Sequence, residues 1–108
     1  MPKILPLRTK NLYRAILSLK NEDEARRFFR DLLTETEIEE FSRRFEVAAM
    51  LDKNIAYTEI VKNTGMSSTT IARISKFLNG VFGGYQLVLK RLSHHHNNPP
   101  ALRGKNLC

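Results

Sequence analysis

The sequence predicts an all-α domain of about six helices, with a helix-turn-helix between roughly Tyr57 and Asn79. Three observations carry that expectation. Apolar residues recur every three or four positions, no segment alternates apolar and polar as a half-buried strand would, and capping residues stand at the starts of the apolar stripes.

Pro2 and Pro6 mark an extended N-terminal arm over residues 1–10. Residues 11–20 then carry Leu12, Ile16 and Leu19 at helical spacing. Asn21, with Glu24 three positions on, is an N-cap and its returning acid. The helix it opens sets Ala25, Phe28, Phe29, Leu32 and Leu33 on one stripe, while Arg26, Arg27 and Arg30 face away. Thr34-Glu35-Thr36-Glu37 is a capping box, and Glu39 and Glu40 add to the negative charge that a helix dipole favours in its first turns.

That third helix, residues 35–52, is the longest. Ile38, Phe41, Phe45, Ala48 and Ala49 share a face, and Val47, Met50 and Leu51 widen it beyond what one packing partner needs. An intertwined homodimer would bury such a helix on two sides; so would a monomeric bundle with this helix at its centre. A single domain of 108 residues gains from association, so the homodimer is the expectation. Beyond Gly83-Gly84, residues 85–92 form a short last helix with Leu87, Val88 and Leu92 apolar. The domain therefore spans 11–92, and a tail over 93–108 is too poor in apolar residues to order itself.

Composition narrows the function. The hydrophobic share of 42% is that of a folded protein. One cysteine, Cys108, excludes an internal disulfide and a cysteine-rich zinc site. The N-terminus lacks a signal-like apolar run, and no stretch approaches the roughly 18 apolar residues of a membrane span, so a cytoplasmic protein is expected. The net charge of +7 is unevenly spread. Residues 1–20 hold five basic and no acidic side chains, residues 21–52 five basic and ten acidic, and residues 53–108 eight basic and one acidic. A basic half beside an acidic middle suits a protein that meets a polyanion on one surface.

The informative stretch runs from Tyr57 to Asn79. A helix-turn-helix needs a short anchored first helix, a turn tolerant of positive φ, and a second helix packed back on the first. Ile60 and Val61 are the anchors, Gly65 the turn, Met66 an apolar plug and Ser67 the N-cap. Ile71, Ile74 and Leu78 form the inner stripe of the second helix. Its outer side then carries Ser68, Thr69, Thr70, Ala72, Arg73 and Lys76. Small hydroxyl residues let a helix enter the major groove closely, and Arg73 and Lys76 can reach guanine edges or phosphates. The expected contacts to double-stranded DNA are Ser67, Ser68, Thr69, Thr70, Ala72, Arg73 and Lys76.

Leu32-Leu33-Thr34, the long helix with Arg43-Arg44, and Thr64-Gly65 through Ser75 resemble the tryptophan repressor superfamily. The stretches Ala15-Ile16-Leu17-Ser18-Leu19, Phe28 through Thr34 and Ser68 through Arg73 resemble its Trp-repressor-like branch of small bacterial DNA-binding proteins, the YerC/YecD type. The resemblance covers about residues 10–92. It implies an intertwined all-α homodimer and a transcriptional regulator, expected to be a repressor, on a pseudo-palindromic operator. It also implies an effector site. The arginines that flank L-tryptophan in the repressor fall on Arg44 and Arg73, and Thr34 matches a residue at the ligand's amino end. The chain departs at the next position, where Ile74 replaces the glycine that leaves room for an indole. Overpacking of that kind costs about 1–3 kcal/mol, so L-tryptophan is not expected as corepressor.

The remaining signals are weaker. Arg43 and Arg44 either receive an effector carboxylate or pair with glutamates such as Glu40, and pairing is the expectation. His94-His95-His96 lacks the fixed geometry and further ligand of a metal site. Lys3, Arg8, Lys10, Arg103 and Lys105 are candidates for nonspecific phosphate contact. No catalytic constellation or phosphate-binding glycine loop is present, so no enzyme, metal or cofactor is expected. The competing use of the same fold is a protein-interaction module docking through Phe77, Val81 and Phe82.

Overall fold

A computed structural model describes residues 4–96, and among them it contains six α-helices and no strand. The helices are α1 (Leu7–Leu17), α2 (Glu22–Leu32), α3 (Glu35–Asp52), α4 (Tyr57–Thr64), α5 (Ser68–Leu78) and α6 (Gly84–His96). The chain forms two compact units that divide within α3, between Glu39 and Glu40.

The first unit is defined by its caps. Asn21 Oδ1 accepts from the Glu24 N–H at 2.9 Å, and the Glu24 carboxylate accepts from the Lys20 N–H at 2.9 Å. At the start of α3 the exchange is fully reciprocal: Thr34 Oγ1 accepts from the Glu37 N–H at 3.1 Å, and the Glu37 carboxylate accepts from the Thr34 N–H at 2.9 Å. Each box satisfies N–H groups that a helix start leaves orphaned. Apolar burial is much weaker. Neither α1 nor α2 contains a single buried residue, although Phe28 and Phe29 meet edge to face with centroids 5.6 Å apart.

The second unit holds the core. Val47 and Ala48 of α3, Ile60 of α4, and Ile71 and Ile74 of α5 are buried together. Met50, Leu51, Ile55, Met66, Tyr85 and Leu89 pack around them. Each fully buried Val or Ile contributes about 1.5–3 kcal/mol, so this cluster fixes α4 and α5. The turn from α3 to α4 closes through Asn54, which takes a positive φ of 62° that asparagine tolerates better than most residues.

Several boundaries differ from expectation. The arm expected over residues 1–10 is helical from Leu7, because Pro6 serves as N-cap and its carbonyl accepts from the Thr9 and Lys10 N–H groups. α1 ends at Leu17, where the Ser18 hydroxyl donates to the Ala15 carbonyl at 2.7 Å and Leu19 falls outside the helix. Leu33, assigned to the α2 stripe, is the extended C-cap, since the chain must straighten to place Thr34 ahead of α3. The tail expected from residue 93 is helical through His96, because no glycine or proline interrupts propagation before Pro99. The expectations for residues 97–108, including Arg103, Lys105 and Cys108, and for Lys3 lie outside the described residues.

Candidate nucleic-acid interface

α4 begins after Ala56 and ends at Gly65, whose φ of 76° puts it in the left-handed region. A Cβ built on Gly65 would meet nothing within 4 Å. The requirement for glycine there is conformational and not steric. The Gly65 N–H donates to the Val61 carbonyl at 2.9 Å, Met66 folds against the core, and Ser67 starts the next helix. Ser67 Oγ accepts from the Thr70 N–H at 3.1 Å, as an N-cap should.

Two helices joined by three residues thus form the expected helix-turn-helix. The inner stripe of α5 is Ile71, Ile74 and Leu78, all buried. Of the anticipated contact residues, Ser67, Ser68, Thr69, Ala72, Arg73 and Lys76 are exposed along or just ahead of this one helix. Thr69, Arg73 and Lys76 follow the i, i+4, i+7 spacing of a single face. Among the described residues no ion pair engages Arg73 or Lys76, and Glu59, the sole acid of residues 53–96, is bonded to Asn63 at 3.3 Å. The face is therefore electropositive.

Thr70 differs from its neighbours. It is half-buried, and its hydroxyl accepts from Ser67 Oγ at 3.1 Å, so it supports the start of the helix from the flank. The anchors of α4 also differ. Ile60 is fully buried, but Val61 is exposed, and the second buried side chain of α4 is Thr64. Thr64 Oγ1 donates to the Ile60 carbonyl at 2.7 Å and accepts from the Met66 N–H at 3.2 Å. The sequence signal for this role was its position, one turn after Ile60 and directly before Gly65.

Two of the three residues expected at an effector site, Thr34 and Arg44, are otherwise engaged, while Arg73 is exposed on α5. The Thr34 hydroxyl and amide belong to the capping box of the first unit. In the second unit Arg44 pairs with Glu40 at 2.8 Å and lies over the Phe41 ring. Ile74, beside Arg73, is 4% exposed and part of the core. A separate apolar groove of about 770 Å³ lies between Phe45, Phe77, Val81, Phe82, Tyr85 and Val88. Among the described residues no cluster of three or more histidine, cysteine or acidic side chains could hold a metal, and no helix is long and apolar enough to cross a membrane.

Residues 8–93 match the family described as Trp repressor protein. The chain belongs to the Trp repressor family. Its relatives include the uncharacterized protein YerC of Bacillus subtilis (strain 168), 42% identical over 81 residues that cover 75% of this chain and 78% of YerC. A Trp-repressor-like protein from Eubacterium eligens ATCC 27750 superposes with a TM-score of 0.77 at 45% identity, over 82% of this chain and 91% of that one. A Staphylococcus aureus protein provisionally assigned as a Trp repressor gives 0.78 at 34% identity, over 82% and 89%. This Trp-repressor-like protein thus has the six-helix fold of a DNA-binding regulator family.

Proposed function

We propose that this protein is a sequence-specific transcriptional repressor, homodimeric in the cytoplasm, that reads a pseudo-palindromic operator through α5. The observation that carries the reading is the face of Thr69, Arg73 and Lys76, exposed and unneutralised on a helix whose opposite stripe is locked into the core. Ser67, Ser68 and Ala72 line the same approach, and Thr70 supports it. No catalytic role is assigned.

A dimer follows from what a single chain leaves uncovered. α1 and α2 contain no fully buried residue, and Phe77, Val81 and Phe82 project around the α5–α6 connection. Apolar exposure on this scale is characteristic of a surface awaiting a partner. A second copy supplies it and sets two α5 helices about one DNA turn apart. The same exposure is the basis of the protein-interaction alternative, which ionic strength separates from DNA binding.

The test is selection of genomic fragments with purified protein, then titration of the enriched site at two salt concentrations. A two-fold symmetric motif with a steep salt slope is expected. Lys76→Ala should weaken binding to all sequences and lower the slope by about one, whereas Thr69→Ala or Arg73→Ala should relax preference at particular base pairs. Uniform loss for every variant would sink base readout by α5, and absence of any enriched site would favour the protein-interaction use.

A further inference from the structure

We propose that the Thr64 hydroxyl is the positioning group of the recognition helix, a relay that sets how α5 leaves α4. The proposal rests on the DNA reading above for its consequence, though not for its geometry. In a Schellman end the N–H two residues past the last turn also reaches back to a carbonyl of that turn, whereas an αL end closes through the glycine N–H alone. Here the Gly65 N–H makes the single αL bond to the Val61 carbonyl, and the Met66 N–H reaches no backbone carbonyl of α4. It donates to Thr64 Oγ1 at 3.2 Å, and that hydroxyl in turn donates to the Ile60 carbonyl at 2.7 Å. One hydroxyl thus serves as acceptor and donor at once. The residue is only 8% exposed, so water is poorly placed to take over either role.

Inserting a side-chain oxygen between Met66 and Ile60 holds the turn wider than a direct N–H to carbonyl bond would. Removing it leaves the part-buried Met66 N–H without its acceptor, so the turn must either tighten, pulling Met66 toward α4, or open toward solvent. Both movements displace Ser67, Ser68 and Thr69, which follow Met66 directly. Hydrogen bonds from a helix to base edges weaken steeply with small shifts, whereas long Arg and Lys side chains still reach phosphates. The loss therefore falls on discrimination between sequences and spares nonspecific affinity. A residue needed merely for folding would lower both together.

The experiment compares the full-length protein with Thr64→Val, which keeps the shape and deletes the hydroxyl, and Thr64→Ser, which keeps the hydroxyl. Binding is measured to the selected site and to a scrambled duplex of equal length, on samples with matching helical spectra. Thr64→Val is expected to lose at least about tenfold of the specific-to-nonspecific ratio with nonspecific affinity held within about twofold. Thr64→Ser should keep both. Undiminished discrimination in folded Thr64→Val, or equal loss of both affinities, overturns the proposal. If Thr64→Val does not fold, amide hydrogen exchange in the unaltered protein decides. The Met66 N–H is expected to exchange at least about a hundredfold more slowly than in an unstructured chain, and exchange at the unstructured rate overturns the relay. If the unaltered protein prefers no duplex, the DNA reading fails and takes the discrimination role with it, while Met66 protection still reports separately on the relay.

Discussion

The Arg44 guanidinium lies 2.8 Å from the Glu40 carboxylate one turn earlier on α3, and 5.4 Å from the centroid of the intervening Phe41 ring. Both charged side chains are about half exposed in the single chain. A pair of this kind contributes little, since water screens it and two long side chains must be held. Glu40→Gln is therefore expected to lower unfolding free energy by less than about 1 kcal/mol in urea titrations. A loss above about 3 kcal/mol would show instead that assembly buries the pair and leaves Arg44 stranded.

The side chain next to Arg73 governs the second prediction. Ile74 is buried among Val47, Ala48, Ile60 and Ile71, so space that an indole would need is filled by the protein itself. Ile74→Ala should destabilise the fold by about 2–5 kcal/mol, the range for truncating a buried isoleucine. Calorimetric titration of the unaltered protein with L-tryptophan should show no saturable heat, and DNA affinity should not respond to the amino acid. Saturable binding in the micromolar range would overturn this reading and return Arg44, Arg73 and Thr34 to an effector role.

Ser67 separates stability from DNA contact. Its Oγ caps α5 through the Thr70 N–H, and its side chain is exposed at the end that faces the phosphates in the proposed complex. Ser67→Ala should cost about 1 kcal/mol of stability. Ser67→Asp preserves the cap and suits the helix dipole, so stability should be retained. Its negative charge should nonetheless weaken DNA binding markedly at low salt. Unchanged affinity for Ser67→Asp would place the start of α5 away from the DNA backbone.

These residues also mark how far the fold could be read in advance. α3 was legible to the residue, because Thr34 and Glu37 form a local box and Asp52 precedes a turn that needs no distant partner. The inner stripe of α5 was equally plain, since Ile71, Ile74 and Leu78 repeat with the helical period. Val61 is the expected anchor because hydrophobicity ranks valine above threonine, while the fold turns position 64 inward and satisfies its hydroxyl locally. Thr70 is grouped with the DNA face because it stands with Ser68 and Thr69 at the N-terminal end of the second helix. At about 100° round the helix from Thr69, it sits on the flank of the exposed face. The start of α1 falls inside the expected arm because Pro6, which marks extended chain in the sequence, here caps a helix.

Association supplies the last prediction. Val81 and Phe82 are 96% and 84% exposed, beside the apolar groove of Phe45, Phe77, Tyr85 and Val88. If a second copy covers this surface, folding and association are one equilibrium, and the thermal midpoint should rise with protein concentration. Phe82→Asp puts a charge where the partner would exclude water, and should shift sedimentation toward the single chain at concentrations where the parent is dimeric. Operator affinity should fall with it, because two linked α5 helices bind far more tightly than two independent ones. The isolated chain should keep its α4–α5 core, since Ile60 and Ile71 are buried without help from the groove. A Phe82→Asp protein that sediments like the parent would remove this groove from the dimer interface and make it available to a different partner.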